Sequence, residues 1–343
     1  MGEAKPPPFS FMKKTIIIPG IIALTLCSCS LFNFNSDSLN NSINDISSDS
    51  FASGSSLSSQ ENEPSSNTIS SSDNSTSSSF LQDYSLFWSD EFEGSSLSSA
   101  WEPQIGDGTN YSVYRWGNNE EQYYKSENAV VKDGNLHIIA KRENASYVAD
   151  NGEERTYQYT SARLRTKGKI TTTYGYIEAR IKLPSGTGMW PAFWMLPEEN
   201  FEGKWWPTNG EIDIMEAKGR LVDRFGATVH TGTSNGQDYY KVKEYGFADG
   251  EDITSYHTYG VEWSLNGFDF YVDGLKFFTV TPTTYQGSNG LYAVSSTAPF
   301  DRPFHILLNL AVGGNYDGGR SPDENFQQAE MLIDYVRIYQ KKQ

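Results

Sequence analysis

The stretch Tyr176-Ile-Glu-Ala-Arg-Ile-Lys-Leu183 decides the fold class. Its apolar side chains recur at every second position, at Ile177, Ala179, Ile181 and Leu183. Because successive side chains of a β-strand point to opposite faces, this period of two predicts a strand with one buried face.

A second alternating run occurs later in the chain. Phe268, Phe270 and Val272 alternate and lead into Asp273-Gly274, which is a two-residue hairpin signal. No amphipathic helix of ordinary length is apparent in the sequence. A globular part of about 260 residues is a normal size for one β-sandwich, so we predict a single all-β domain.

Three carboxylates lie on another apolar strand, in Asn209-Gly-Glu-Ile-Asp-Ile-Met-Glu-Ala217. Glu211 and Asp213 are two positions apart and share one face of the strand. Glu216 is five positions from Glu211, so a regular strand would point it to the opposite face. A β-bulge at Ile214 and Met215 would absorb one residue and return Glu216 to the face of its partners.

With such a bulge, the backbones of Glu211 and Glu216 would lie roughly 13 Å apart. Side chains that lean toward each other would leave about 5 Å between the carboxyl groups, which is the spacing of a retaining glycosidase. Acidic residues that alternate along a strand are also typical of a solvated face, and the spacing alone leaves both interpretations open. The tryptophans that precede the run and the adjacent Gly210 favour a functional site.

Residues 85–343 resemble glycoside hydrolase family 16, in particular its bacterial laminarinase-like endo-β-1,3-glucanases. The resemblance rests on segments that occur in the family's order: Trp88-Ser-Asp-Glu-Phe92, Gly117-Asn-Asn-Glu-Glu-Gln-Tyr-Tyr124, Thr160-Ser-Ala-Arg-Leu164, Gly188-Met-Trp-Pro-Ala-Phe-Trp-Met-Leu-Pro197, Gly210-Glu-Ile-Asp-Ile-Met-Glu216, Asn309-Leu-Ala-Val-Gly-Gly314 and Asp334-Tyr-Val-Arg-Ile-Tyr339. We expect a β-sandwich jelly roll of two antiparallel sheets with a concave substrate cleft, and the 210–216 run on a central strand of the concave sheet.

The resemblance implies a role for each carboxylate. Glu211 matches the family's nucleophile and Glu216 its acid/base, while Asp213 would hydrogen-bond the nucleophile and influence both. Glu216 must stay protonated near neutral pH, which requires a raised pKa. Met215 is the extra residue that separates laminarinase-like members from the lichenase type, whose run is one residue shorter.

Substrate contacts are also implied by the resemblance. Trp190 and Trp194 would line the cleft beside the cleaved bond, although paired tryptophans are otherwise typical of a core. Hydrogen bonds to sugar hydroxyls would come from Asn118, Asn119, Glu120 and Arg163. His230 is expected to face the acid/base residue. No second ligand-type residue stands at metal spacing from it in the sequence, which argues against a zinc site.

The resemblance further implies a structural calcium ion on the convex side, held by Glu93, Gly134 and Asp334. Oxygen ligands from distant parts of a chain suit calcium. Glu93 and Asp334 are alternatively ordinary surface charges. Catalysis itself is expected to need no cofactor.

The N-terminal segment indicates export. Residues 1–29 read as a secretory signal, with a basic start and a short apolar run, and Met12 is the alternative start of translation. Leu26-Cys27-Ser28-Cys29 is similar to a bacterial lipobox, with Cys29 as the acylated residue and Cys27 as the weaker candidate. The expected location is the cell envelope, either periplasmic or at the cell surface, with a lipid anchor in the membrane.

Residues 30–82 form a Ser- and Asn-rich linker, and residues 83–343 form the catalytic domain. The linker's composition predicts a disordered tether. Both cysteines of the chain lie before it, so the domain has no disulfide.

The formal net charge is −16, of which residues 1–35 carry +2 and residues 36–79 carry −6, so that −12 remains on residues 80–343. A domain this acidic argues against nucleic acid and against strongly anionic polysaccharides as partners. A neutral glucan fits the charge better, and we expect a monomer.

Three functions remain open from the sequence. The first is retaining endo-hydrolysis of β-1,3-glucan of the laminarin type, or also of mixed β-1,3/1,4-glucan. The second is another polysaccharide hydrolase of the same fold, such as an agarase, or a transglycosylase. The third is a non-catalytic glucan-binding protein, which the presence of both glutamates disfavours.

Overall fold

The computed structural model describes residues 80–148, 152–200, 204–233, 236–287, 290–294 and 299–343. The predicted signal, Cys29 and nearly all of the predicted linker lie outside these residues. The first described element is a 3-10 helix, Phe80–Asp83, which leads directly into the first strand.

Strands dominate the described chain. They are β1 Tyr84–Asp90, β2 Glu102–Pro103, β3 Gln122–Tyr124, β4 Ala129–Lys132, β5 Asn135–Val148, β6 Glu154–Ser161, β7 Arg163–Arg165, β8 Thr171–Thr172, β9 Gly175–Lys182, β10 Met189–Pro197, β11 Glu211–Glu216, β12 Arg224–Gly232, β13 Asp238–Gly246, β14 Tyr256–Ser264, β15 Gly267–Val272, β16 Leu275–Val280, β17 Thr283–Gly287, β18 Gly290–Val294, β19 Phe304–Val312 and β20 Gln328–Lys341.

The helical elements among the described residues are short 3-10 helices. Besides Phe80–Asp83 they are Thr109–Tyr111, Tyr114–Gly117, Ser126–Asn128 and Asn315–Asp317. Within this part of the chain, no helix has the length and apolar character that crossing a bilayer requires.

Two large sheets form the domain. One has the order β16-β15-β14-β9-β20-β5-β6-β3, with β1 beside β20 and β4 beside β5; the other has the order β13-β12-β11-β10-β19-β7-β2, with β8 beside β19. β17 and β18 form a separate two-stranded ribbon. The predicted all-β jelly roll is confirmed. One pair, β3 with β6, is parallel, at the edge of the first sheet.

The core lies between the two sheets. Ile177, Ala179, Ile181 and Leu183 are all buried in it, as the alternation in the sequence predicts. The predicted hairpin is also present, since Asp273 and Gly274 join β15 to β16 with φ angles of 49° and 77°. The second sheet contributes the opposite half of this core and carries the carboxylate strand β11 near its centre.

Candidate active site

A bulge in β11 sets the direction of its carboxylates. Asp213 pairs with Thr228 of β12 and Glu216 pairs with Gly226, so three steps along β11 match two along its neighbour. The register with β10 also shifts within this stretch. Ile212, Ile214 and Met215 are buried in the core. The bulge predicted from the spacing of the carboxylates is therefore confirmed, and it re-aims Glu216.

The three carboxylates of β11 differ in their surroundings. Asp213 is 2% exposed, whereas Glu211 and Glu216 are partly exposed. Burial and, next, the negative charge of Asp213 raise the pKa of Glu211 well above its usual range. The same two causes raise the pKa of Glu216 to about 8. Because burial and mutual repulsion both disfavour the ionised forms, we expect the cluster of Glu211, Asp213 and Glu216 to retain a proton at neutral pH.

Trp190 of β10 contacts Glu216 directly. Its indole Nε1 donates a hydrogen bond of 2.9 Å to Glu216 Oε1. The indole also stacks on Tyr316, with ring centroids 5.1 Å apart and an interplanar angle of 18°. Lys218 Nζ lies 4.7 Å from the centroid of the Tyr316 ring. The Glu216 carboxyl is thus held by a donor that is itself fixed by aromatic packing.

Trp194 of β10 pairs with Asp213 of β11, and its ring lies beside the Arg163 guanidinium. The Arg163 guanidinium is centred 4.7 Å from the Trp194 ring and 4.5 Å from the Trp116 ring. Its Nε donates to Gln104 Oε1 at 2.7 Å. The buried guanidinium interacts electrostatically with Glu211, which places a positive charge near that carboxylate. This arrangement rigidly positions Arg163 through cation–π and hydrogen-bond contacts.

The 118–120 segment is split between surface and interior. Asn119 is exposed, and its Nδ2 donates a hydrogen bond of 2.9 Å to Asn315 Oδ1. The backbone N–H of Asn315 donates to the carbonyl of Asn118. Glu120 is only 3% exposed. Burial raises the pKa of Glu120 to about 7, and nearby Arg163 opposes the shift.

The Glu120 carboxylate is already engaged inside the protein. Gln122 Nε2 donates to its Oε2 at 2.6 Å, and the Tyr124 hydroxyl donates to the same atom at 3.0 Å. Asn309 links this network to the cleft, because its Oδ1 accepts from Trp194 Nε1 at 2.7 Å and its Nδ2 donates to Tyr124. The predicted substrate residue Glu120 therefore lies in the layer that supports Trp194.

His230 lies opposite Glu211 in the pairing of β12 with β11. Its Nε2 is 3.4 Å from Asp213 Oδ2, and its Nδ1 is 3.1 Å from Asp238 Oδ1. Burial alone would lower the pKa of His230, but the contacts with Asp213 and Asp238 outweigh it and raise that pKa well above its usual range. The carboxylates that His230 contacts are those of Asp213 and Asp238, and its charge also acts on Glu216, the acid/base candidate that the sequence indicates.

Of the three residues proposed for calcium, Asp334 lies on β20 of the other sheet, and Glu93 and Gly134 follow its strands β1 and β4. Gly134 is in the β4–β5 hairpin, with φ of 71°. Asp90 of β1 pairs with Val336 of β20, so the residues that follow β1, including exposed Glu93, run toward Asp334. Asp334 Oδ2 is 2.7 Å from an Arg180 guanidinium nitrogen. The three residues offer only oxygen atoms, which are the ligands that calcium prefers, and one oxygen of Asp334 contacts Arg180.

Several residues of the site carried no signal in the sequence. They are Gln104, Trp116, Tyr124, Asp238, Asn309 and Tyr316, which contact the residues singled out above. Among them Tyr124 and Asn309 stand in motifs quoted above without a role, and those positions could have indicated them.

A family model described as "Beta-porphyranase A-D, GH16 domain" matches residues 86–341. The chain belongs to glycoside hydrolase family 16. This confirms the family resemblance and the assignment to the glycoside hydrolases.

Named proteins are similar to this chain over about three quarters of its length. The glucan endo-1,3-beta-glucosidase A1 of Niallia circulans is 39% identical over 270 residues, which are 75% of this chain and 38% of that protein. The beta-glucanase of Rhodothermus marinus is 38% identical over 268 residues, with 75% and 85% covered. The laminarinase catalytic domain of Thermotoga maritima MSB8 has a TM-score of 0.64 at 36% identity, covering 76% of this chain and all of that one.

The match to some relatives is partial in length. The aligned region spans 38% of the Niallia circulans protein and 34% of the clotting factor G alpha subunit of Tachypleus tridentatus. Those proteins are therefore much longer than the shared family 16 domain.

Proposed function

We propose that this protein hydrolyses β-1,3-glucan within the chain and retains the configuration of the cleaved sugar. Mixed β-1,3/1,4-glucan is a further substrate of the same site. The observation that carries the proposal is the bulge in β11, which presents Glu211 and Glu216 on one face with buried Asp213 between them. Two carboxyl groups arranged in this way suit a double displacement.

In the first step, ionised Glu211 attacks the anomeric carbon while protonated Glu216 gives its proton to the departing glycosidic oxygen. The glycosyl-enzyme that results has lost the negative charge of Glu211. Glu216, now ionised, takes a proton from a water molecule that attacks the same carbon, and Glu211 is released. Arg163 and His230 supply positive charge near Glu211, which favours its ionised form before attack.

The direct test incubates the purified protein separately with laminarin, lichenan, agarose and porphyran. Reducing ends, early product lengths and the anomeric configuration of the first product are followed. Oligosaccharides of mixed length from laminarin, released first as the β-anomer, support the proposal. An α-anomer as first product would contradict retention, and inactivity on both glucans would contradict the substrate.

A second candidate function is cleavage of a red-algal galactan. The description of the matching family model favours it, since that description names a β-porphyranase. The charge of −12 on residues 80–343 opposes it, because porphyran is anionic. Activity on porphyran or agarose with none on laminarin would keep the mechanism and replace the substrate.

The Trp190 indole provides a test of the acid/base role. Hydrolysis needs protonated Glu216, so activity should fall as pH rises through the Glu216 pKa of about 8. In Trp190→Phe the carboxylate loses its indole donor, so its pKa should rise and the alkaline limb of kcat/KM should move up by about one pH unit. The control is Trp194→Phe, because the Trp194 indole donates to Asn309 and not to Glu216. In this variant the alkaline limb of kcat/KM should remain at the wild-type pH. A shift to lower pH in Trp190→Phe would contradict the assignment.

We also propose that Glu93, the Gly134 carbonyl and Asp334 hold a structural calcium ion. Binding to the native state should raise the melting temperature in calcium above that in EDTA by about 5 °C. Glu93→Gln should reduce this difference, whereas Glu324→Gln, also an exposed carboxylate, should not. An equal calcium response in both variants, measured by thermal unfolding, would contradict the site.

Export with a lipid anchor at Cys29 is a further proposal, supported by the sequence of residues 12–29. In a bacterial host fed labelled palmitate, the expressed chain should incorporate label and sediment with membranes. Cys29→Ser should lose both properties, and Cys27→Ser should keep them. If labelling were lost in Cys27→Ser and kept in Cys29→Ser, the acylated residue would be Cys27.

A further inference from the structure

We propose that Glu211, Asp213 and His230 form a binding site for a transition-metal dication such as zinc at the floor of the cleft. One potential ligand atom from each residue lies within 4.8 Å of the other two. Two carboxylates and an imidazole form a donor set that zinc accepts. This ion would be an inhibitor and is distinct from the calcium proposed on the other sheet.

The orientation of His230 is the first supporting observation. Its Nδ1 lies 3.1 Å from Asp238 Oδ1, which leaves Nε2 facing Asp213. Metal-binding histidines usually donate one ring N–H to a carboxylate while the other nitrogen binds the ion. Asp238 thus already holds the imidazole in the orientation that a ligand needs.

The gap between His230 and Asp213 is the second observation. Their facing atoms, Nε2 and Oδ2, are 3.4 Å apart. Two ligands bound to zinc at about 2.0–2.1 Å with a tetrahedral angle would be about 3.3 Å apart. The two atoms therefore stand at nearly the separation of one edge of a zinc site.

The state of Asp213 is the third observation. Its side chain is 2% exposed, and Oδ2 faces only the long 3.4 Å contact with His230 Nε2, with no hydrogen bond of normal geometry among the described residues. A buried carboxylate oxygen without a good donor is costly, and a cation would satisfy it. Glu211, which is partly exposed, would complete three protein ligands and leave the fourth position open to the cleft.

Binding would disable the proposed mechanism. An ion on Glu211 withdraws the electron pair that attacks the anomeric carbon, and it occupies space at the floor of the cleft. We therefore expect zinc to inhibit hydrolysis reversibly. Inhibition rests on the proposed function, whereas binding of the ion does not.

The experiment titrates the EDTA-treated full chain, after removal of the chelator, with zinc chloride by calorimetry in the presence of excess calcium. Wild type is compared with His230→Asn, Asp238→Asn and His137→Asn, a control on β5 of the other sheet. Cys27 and Cys29 are common to all four proteins, so their contribution cancels. Circular dichroism melting establishes that each variant is folded.

We expect His230→Asn to lose one zinc equivalent relative to wild type. Asp238→Asn should bind that equivalent roughly 10–100-fold more weakly, because it only positions the ligand. His137→Asn should bind as wild type does. Unchanged zinc binding in both His230→Asn and Asp238→Asn would overturn the site. If His230→Asn does not fold, unchanged zinc binding in Asp238→Asn alone would overturn it.

An activity arm separates this site from the proposed function. Zinc should inhibit wild-type laminarin hydrolysis, EDTA should restore it, and His137→Asn should respond as wild type does. If no polysaccharide is cleaved, the proposed function fails while the calorimetry still decides the metal site. If zinc binds at His230 but hydrolysis continues undiminished, the inhibitory role is overturned.

Discussion

Glu211→Gln is expected to lower kcat/KM on the accepted polysaccharide by roughly 10⁴-fold or more, since it removes the proposed nucleophile of the first displacement. Gln has nearly the same shape, so the loss would reflect chemistry rather than packing. The substitution also removes a group whose ionisation is opposed by burial and by Asp213. The variant's melting temperature should therefore equal or exceed that of the wild type.

Initial rates of reducing-end release measure this effect, and Glu324→Gln serves as the matched control because its carboxylate is exposed. The control should retain wild-type activity. If Glu211→Gln kept more than about a tenth of wild-type kcat/KM, the loss of transition-state stabilisation would be at most about 1.4 kcal/mol. Another group would then have to be the nucleophile.

Glu216→Gln is expected to have the second largest effect, a loss of roughly 10²–10⁴-fold on polysaccharide. The substituted amide cannot protonate the departing oxygen. A dinitrophenyl glycoside has a leaving group that needs no proton, so the first step on that substrate should stay fast. Pre-steady-state release of dinitrophenol should then appear as a burst, because the second step still lacks its base.

Azide distinguishes this role from a general loss of structure. As a nucleophile that needs no base, it should accelerate turnover of the dinitrophenyl substrate by Glu216→Gln and yield a β-glycosyl azide. Wild type should respond little. An equal loss on polysaccharide and on the dinitrophenyl substrate, without azide rescue, would contradict the acid/base assignment.

The elements that the sequence predicts are those specified by local pattern. The alternation from Ile177 to Leu183 reports which face of β9 is buried, and Asp273-Gly274 supports the positive φ angles of a tight hairpin. The parity of the spacing predicts a bulge in β11 on the condition that Glu216 shares a face with Glu211, and the structure contains that bulge. In each case the information lies within a few residues of the feature.

The contacts that the sequence did not predict join distant parts of the chain. Arg163 packs between Trp116 and Trp194, and no local pattern indicates that these three residues meet. The sequence argues against His230 as a metal ligand because no partner stands near it along the chain. Its neighbour Asp213 is reached only when β11 pairs with β12. Such contacts depend on strand order and loop course, which single-sequence patterns do not encode.

The bulge also bears on how this strand tolerates insertion and deletion during evolution. In a run without the residue at Met215, Glu211, Asp213 and the final glutamate would alternate regularly and need no bulge. In the longer run, the structure accommodates the extra residue within the core, where Ile214 and Met215 are both buried. Insertion or deletion of one residue at this point can therefore alter the inner packing of the domain while Glu211 and Glu216 keep their common direction.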